Sequence, residues 1–253
     1  MEILQRVADA RMVFRKLRDD GASLGLVPTM GALHAGHTSL IERARADNDH
    51  VAVSIFVNPT QYDDPSDLES YPRTFAEDLE KAESAGADII LAPDYAALYP
   101  DDYRFRVGET IFSRELEGAH RPGHFDGVLT VVLKLLNIVR PDRAYFGEKD
   151  WQQLQLIRGM VDAFFMDVDI VNCPTVREAD GLAMSSRNTL LSPADRRRAP
   201  LLHEAIAAGG SEEEVAERLA EEGFDVDYVE RRDNRVLVAA RLGKVRLIDN
   251  VQA

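Results

Sequence analysis

Val27-Pro28-Thr29-Met30-Gly31-Ala32-Leu33-His34-Ala35-Gly36-His37-Thr38 follows an apolar run at 24–27 and precedes a helical pattern at 39–45. It reads as a strand that passes through a glycine-containing turn into a helix, with two histidines three residues apart at the helix start. Backbone N–H groups at a helix N-terminus lack intrahelical partners and carry positive partial charge, which suits phosphate oxygens. Two glycines let the main chain approach a ligand closely, and residues three apart share one helical face. The stretch therefore predicts a phosphate-binding helix start on an α/β scaffold.

Working outward, residues 51–57 form a nearly all-apolar run of strand length, as expected of a parallel strand buried on both faces. Residues 87–91, 143–146 and 168–171 read as further strands. Helical patterns fall at 5–18, 74–86, 128–139 and 150–164, and Thr74 with Glu77 has the spacing of a capping box. Such alternation predicts an α/β fold with five or so parallel strands and helices on both faces. After about residue 175 the pattern changes to helices at 193–208 and 211–222, then short antiparallel strands at 226–230, 235–239 and 245–248. The chain thus divides into 1–175 and a smaller α+β C-terminal domain, 176–253, with no Pro/Gly/Ser linker.

The 253 residues are 45% apolar and 29% charged, ordinary values for a globular protein. A formal charge of −14 argues against a nucleic-acid surface, which needs a basic patch, but not against ATP. The single cysteine, Cys173, permits no intrachain disulfide and suits a reducing compartment, where it reads as a small apolar residue near a strand end. No apolar run approaches ~20 residues, and Met1-Glu2 opens a charged amphipathic segment rather than a signal peptide. A soluble cytoplasmic protein is expected, with no membrane segment.

Ligands of open parallel sheets bind beyond the carboxyl ends of the strands. Four polar clusters fall there: 30–37, 58–61, 147–153 and 184–187. Gly31-x4-Gly36-His37-Thr38 has the glycine spacing of a phosphate loop, but histidine replaces the lysine that supplies a fixed charge. A zinc site from His34, His37, His120 and His124 is disfavoured, because Arg121-Pro122-Gly123 separates the last pair and no cysteine cluster assists. The plainest competing reading is that the histidines only cap or pack the helix start.

His-x-Gly-His after the first strand resembles the signature of the HxGH nucleotidylyltransferase superfamily, which includes class I aminoacyl-tRNA synthetases. Five blocks narrow the likeness. Pro28-Thr29-Met30-Gly31-Ala32-Leu33-His34-x-Gly36-His37, Phe56-Val57-Asn58-Pro59-x-Gln61, Tyr71-Pro72-Arg73-Thr74, Phe146-Gly147-Glu148-Lys149-Asp150-x-Gln152-Gln153-Leu154 and Arg177-Glu178-x-Asp180-Gly181-Leu182-Ala183-Met184-Ser185-Ser186-Arg187-Asn188 resemble the pantothenate synthetase (pantoate–β-alanine ligase) family in order and spacing.

The resemblance implies a Rossmann-like ATP- and pantoate-binding domain, 1–175, and a smaller C-terminal lid domain. It also implies ATP-dependent condensation of pantoate with β-alanine through pantoyl adenylate, releasing AMP and pyrophosphate, a step in coenzyme A precursor biosynthesis. His34 and His37 are implied at the α–β phosphate bridge, with Lys149, Ser185, Ser186 and Arg187 as further catalytic donors. Met30, Gly31, Ala32, Leu33, Ala35, Gly36, Gly147, Glu148, Asp150, Val176 and Met184 match nucleotide-binding positions. Gln61, Gln153 and Met30 match the pantoate pocket, and Gln61 with Asn58 the β-alanine site. Uncharged amides suit a hydroxyl pair. Mg²⁺ is implied with ATP, and Glu77 and Asp78 match an acidic pair near the metal. Arg121 matches a mobile-loop position, and a homodimer is a family expectation.

Three departures stand out: a tight connection at 228–235, a chain that ends soon after Ile248-Asp249-Asn250, and an acidic tract at 62–67 where the family often has a glycine-rich loop. The competing functions are another carboxylate-adenylating or nucleotidyl-transferring enzyme, and a non-catalytic ATP-binding regulator. The intact Lys149, histidine pair and Ser-Ser-Arg disfavour the last.

Overall fold

The apolar runs become strands of a six-stranded, wholly parallel sheet in the computed structural model, which describes residues 1–253. The strands are β1 (Glu2–Leu4), β2 (Leu24–Thr29), β3 (His50–Ile55), β4 (Ile89–Leu91), β5 (Arg143–Gly147) and β6 (Asp169–Cys173), in the order β1-β4-β3-β2-β5-β6. Their connections carry helices α1 (Val7–Asp19), α2 (Ala35–Asp47), α3 (Pro65–Ser70), α4 (Phe75–Ser84), α5 (Tyr95–Leu98), α6 (Glu117–His120), α7 (His124–Val139) and α8 (Trp151–Ala163).

Strand residues alternate faces, and both faces are buried here. Leu24, Leu26, Ala52, Ile89, Leu91, Ala144 and Phe146 pack into one core with Phe14 of α1, Leu129 and Leu136 of α7, and Leu154 and Ile157 of α8. Val27, Val51, Val53, Ile90 and Tyr145 pack into the other with Leu40 and Ile41 of α2 and Ala82 of α4. Burial of each large side chain contributes roughly 1.5–3 kcal/mol before conformational entropy is set against it. This is the Rossmann-like α/β arrangement. From β2 the chain proceeds to β3 and β4 on one side, whereas β5 and β6 lie on the other. The strand order therefore reverses at β2/β5, and the crevice beyond Thr29 and Gly147 is the topological switch point where such sheets bind ligands.

Details of the sequence reading need correction. Residues 2–4 form a strand, with Glu2 opposite Ile89 and Leu4 opposite Leu91. Only Leu4 of the three is buried, so this edge strand leaves no apolar run. The acidic segment contains α3, capped by Asp64 through Ser66 N–H. Thr74 makes no capping hydrogen bond at α4; its hydroxyl donates instead to Asp78.

Residues Met1–Gly147 and Gln152–Cys173 make one compact unit, and Glu148–Trp151 with Pro174–Ala253 make a second. The second unit contains α9 (Pro193–Arg198), α10 (Leu201–Ala207), α11 (Glu212–Glu221) and an antiparallel sheet of β7 (Asp225–Arg232), β8 (Arg235–Leu242) and β9 (Val245–Gln252). Its own core includes Leu202, Ile206, Val215, Leu219, Phe224, Val236, Val238 and Leu247. Ser211 and Glu214 form a reciprocal capping box on α11. The tight 228–235 connection is a two-residue hairpin, with Arg232 opposite Arg235 and Asp233 left-handed at φ 52°. No helix is long and apolar enough to cross a membrane.

Candidate active site

At the end of β2, the Thr29 hydroxyl donates to Ser54 O at 2.7 Å and accepts from Gly31 N–H at 3.2 Å, so the chain turns immediately past the sheet. Gly31 and Ala32 are both left-handed, at φ 81° and 51°. Glycine accepts this freely, whereas alanine resists it by about 1–2 kcal/mol. The neighbouring α4 supplies the restraint. Asp78, 1% exposed, accepts Ala32 N–H at 2.9 Å and Leu33 N–H at 2.7 Å, while Lys81 Nζ donates to Leu33 O at 2.9 Å. A Cβ on Gly31 would lie 3.0 Å from the Asp78 carboxylate. From the other side the Tyr71 hydroxyl donates to Gly31 O at 3.4 Å, and the Tyr62 hydroxyl to Met30 Sδ at 3.7 Å.

His34 is the N-cap of α2. Its Nδ1 accepts Gly36 N–H at 3.1 Å, and the Nδ1 of His37 accepts His34 N–H at 3.3 Å. The two rings stack obliquely, with centroids 4.1 Å apart. Capping and ligand binding are therefore compatible. A neutral imidazole that accepts at Nδ1 carries its proton on Nε2, so both rings become Nε2–H donors beside a helix N-terminus. Ala35 and Gly36 form the first turn.

Beyond β3, Asn58 caps a 3₁₀ turn, Pro59–Gln61. Its Nδ2 donates to Gln61 Oε1 at 3.1 Å and Gly127 O at 3.2 Å. Its Oδ1 accepts from the hydroxyls of Thr60 at 2.9 Å and Tyr99 at 3.0 Å. Burial pushes the Tyr99 phenol up to about 12, which keeps it a donor across the neutral range. The Asn58 amide, 1% exposed, is thus fully engaged, and its bond to Oε1 leaves Gln61 presenting its Nε2 as the donor end. The Asn58 side chain thereby ties Gln61 to the turn and to α7. The Gln61 carbonyl also meets His124 Nδ1 at 2.8 Å and Arg121 at 3.4 Å, and Arg121 pairs with Asp63 at 3.3 Å. Close packing of α7 on the turn requires Gly127, where a Cβ would fall 2.3 Å from Thr60 O.

The acidic pair divides between a structural brace and the surface. Both Asp78 oxygens are taken by backbone N–H groups, and Glu77, its neighbour on the helix, is exposed. No group of three or more His, Cys, Asp or Glu side chains is placed to hold a metal ion. In the first unit Met30–Leu33, His34, His37, Asn58, Gln61 and Asp78 gather beyond the ends of β2 and β3. Gln153 lies half-buried on the first turn of α8, while its neighbour Gln152 braces the segment 112–117 by three bonds.

The second unit brings together the remaining expected residues. The turn Glu148–Asp150 follows Gly147, and Lys149 Nζ lies 3.9 Å from Asp150 Oδ1. Val176 O accepts Met184 N–H at 3.0 Å, closing a loop whose tip is Asp180-Gly181. Ser185 caps the 3₁₀ turn Ser186–Leu190 by accepting Arg187 N–H at 3.3 Å, and buried Asn188 ties that turn to Glu178 and Ala183. Buried Asp249 accepts both guanidinium nitrogens of Arg177, at 2.6 and 3.0 Å. Burial alone would raise the Asp249 carboxyl, but nearby His203, Arg177 and the Asn250 N–H outweigh it and hold the group below its ordinary range. The bracing by Asp78, Asp249 and Asn250 was not read from the sequence. A carboxylate beside Leu79 in an amphipathic helix was the only local signal for Asp78; the β9 pair had none.

A family model described as pantoate–beta-alanine ligase matches residues 2–252. A pantothenate synthetase of Bdellovibrio bacteriovorus is 58% identical over 235 residues, covering 93% of this chain and 94% of its own. One from Legionella pneumophila is 47% identical over 237 residues, 94% of each chain. Among solved structures, the pantoate–beta-alanine ligase from Francisella tularensis complexed with beta-gamma ATP and beta-alanine is similar at a TM-score of 0.95 and 40% identity, covering 100% of this chain and 97% of that one. The pantothenate synthetase from Thermus thermophilus gives 0.90 at 40% identity, covering 100% and 99%.

Proposed function

Since the chain belongs to the pantoate–β-alanine ligase family, we propose that it condenses pantoate with β-alanine, using ATP, by way of pantoyl adenylate. The observation that carries this reading is the reciprocal cap of His34 and His37 at the carboxyl end of β2, the sheet's switch point. A pantoate carboxylate oxygen attacks the α-phosphorus, and the bond from that phosphorus to the bridging oxygen breaks. Pyrophosphate leaves with the electron pair. The amine of β-alanine then attacks the acyl carbon, AMP departs, and the amine loses a proton to solvent.

Neither step needs a protein nucleophile; both need alignment and donors where negative charge grows. The Nε2–H groups of His34 and His37 serve the α–β bridge, with the first-turn backbone of α2 beside them. Met30 to Leu33 bound the nucleotide and pantoate. Lys149 and Arg187 supply fixed charge to phosphate oxygens, Ser185 and Ser186 hydroxyl donors, and Gly147, Glu148, Asp150, Val176 and Met184 line the nucleotide. Gln61 Nε2–H donates to pantoate and β-alanine, and Gln153 addresses the pantoate hydroxyls. Mg²⁺ enters as the nucleotide's own counter-ion, with no protein ligand set assigned. The domain scheme of 1–175 and a lid at 176–253, a homodimer and a cytoplasmic location belong to the same proposal.

The deciding experiment is pyrophosphate exchange into ATP with pantoate present and β-alanine absent. Pantoate-dependent exchange is expected, and its absence from folded protein overturns the adenylate route.

A further inference from the structure

Two adjacent residues of β9, Asp249 and Asn250, touch both nucleotide-motif segments of the second unit. Asp249, 3% exposed, binds Arg177 through both oxygens, and Arg177 begins the loop that ends in Ser185-Ser186-Arg187. Asn250, also 3% exposed, points its amide at the other segment: Nδ2 donates to Glu148 O at 2.9 Å and Lys149 O at 3.0 Å. Its Oδ1 accepts from Arg235 at 2.6 Å, and the other Arg235 terminus pairs with Glu148 at 2.7 Å. Arg177 also donates to Asn250 O at 3.4 Å, so the two grips meet at one residue.

We propose that Asn250 and Asp249 are positioning residues for the reaction, with Asn250 fixing the Lys149 turn and Asp249 fixing the Arg177 loop in one register along β9. The proposal rests on the function assigned above. Strand neighbours have opposite side-chain directions, which lets consecutive residues reach two separate segments. A three-residue 3₁₀ turn has few bonds of its own, so donors from outside it decide how firmly its carbonyls are held. The chemistry of Asn250 is specific: an amide supplies two N–H donors on one side and an acceptor on the other, and both ends are used here.

The test compares Asn250→Ala, Asn250→Asp and Arg246→Ala. Arg246 pairs with Asp227 on the same sheet at 2.6 Å, away from the Lys149 turn and the Arg177 loop, so it reports general loosening of the unit. ATP affinity is read by calorimetry, and hydrogen exchange of the amides of residues 149–152 by mass spectrometry. Asn250→Ala removes both hydrogen bonds to the turn and should weaken ATP binding about tenfold while pantoate affinity holds. Asn250→Asp, nearly isosteric and still able to pair with Arg235, sets an oxygen against two carbonyls and should weaken it further. Both should accelerate exchange at 149–152; Arg246→Ala should do neither. The inference is overturned if either folded Asn250 variant keeps ATP affinity within twofold of the parent, or if Arg246→Ala reproduces their effects. Wild-type pyrophosphate exchange, run in parallel, tests the assigned function separately, and the amide-exchange result stands whichever way that falls.

Discussion

Replacing Asp78 by asparagine tests how the histidine-bearing loop is held. The carboxylate accepts two backbone N–H groups, from Ala32 and Leu33, and the Thr74 hydroxyl. Asparagine keeps one oxygen and turns an NH2 group toward the other donor, so one buried N–H loses its acceptor. Losing a hydrogen bond to a charged acceptor costs roughly 1.5–3 kcal/mol, and weakening the surviving one adds about 1. A total of about 3 kcal/mol corresponds to a fall of ~6–12 °C in the melting temperature of a unit this size. The left-handed Ala32 then has less to hold it, and a shift of ~1 Å in the histidine pair would lower adenylate formation on the order of 10²-fold. Circular dichroism gives the first quantity and pantoate-dependent pyrophosphate exchange the second, at graded Mg²⁺ concentrations. A melting temperature and exchange rate equal to the parent's would refute the bracing argument. So would full recovery at high Mg²⁺, which would return Asp78 to the metal role the family pattern implies.

His37→Ala should lower turnover by about 10²–10³ if its Nε2–H stabilises the departing pyrophosphate; steady-state assays showing an unchanged kcat would transfer that task to the helix N–H groups. Gln153→Ala should raise the KM for pantoate and leave the KM for ATP alone, and the reverse split would move this residue out of the pantoate pocket. The Asp249 carboxyl sits below its ordinary value of 3.8, so its stabilising effect is complete above about pH 4 and lost as pH falls through the lowered folded-state value. Acid titration of the fold should therefore show a step that Asp249→Asn removes, and titrations that superimpose would count against the ion pair as its source.

How much of this was legible in advance depends on where the information lies. β2, β3 and α2 were readable because buried runs and helical periodicity are local properties, and the five blocks are contiguous in sequence. β1 was not: its pairing with β4 depends on a partner far along the chain, and only Leu4 is buried. Thr74 and Glu77 had the spacing of a capping box, yet the Thr74 hydroxyl found the buried Asp78 carboxylate, a better acceptor than local geometry could foresee. Asn58 stands in one of the five blocks, but its saturation by Gln61, Gly127, Thr60 and Tyr99 emerges only when α7 and the Tyr99 segment pack against its turn. Asn250 carries no such signal, since a side chain that holds carbonyls about a hundred positions earlier leaves no pattern in sequence.

The cap shared by His34 and His37 also limits what can replace either residue. Each ring must accept a backbone N–H at one end of a rigid plane and offer a proton at the other. Lysine donates but cannot accept, so the substitution that would recreate a phosphate-loop cation would uncap α2. Asparagine caps well, yet its amide is too short to do both tasks from one position. Glutamine reaches further, but its flexible stem lacks the fixed span of an imidazole. A library varied at these two positions should therefore return inactive proteins of near-parent stability with asparagine, and ones destabilised by about 0.5–2 kcal/mol with lysine. In this helix start, architecture and chemistry have become mutually exclusive for every side chain but one.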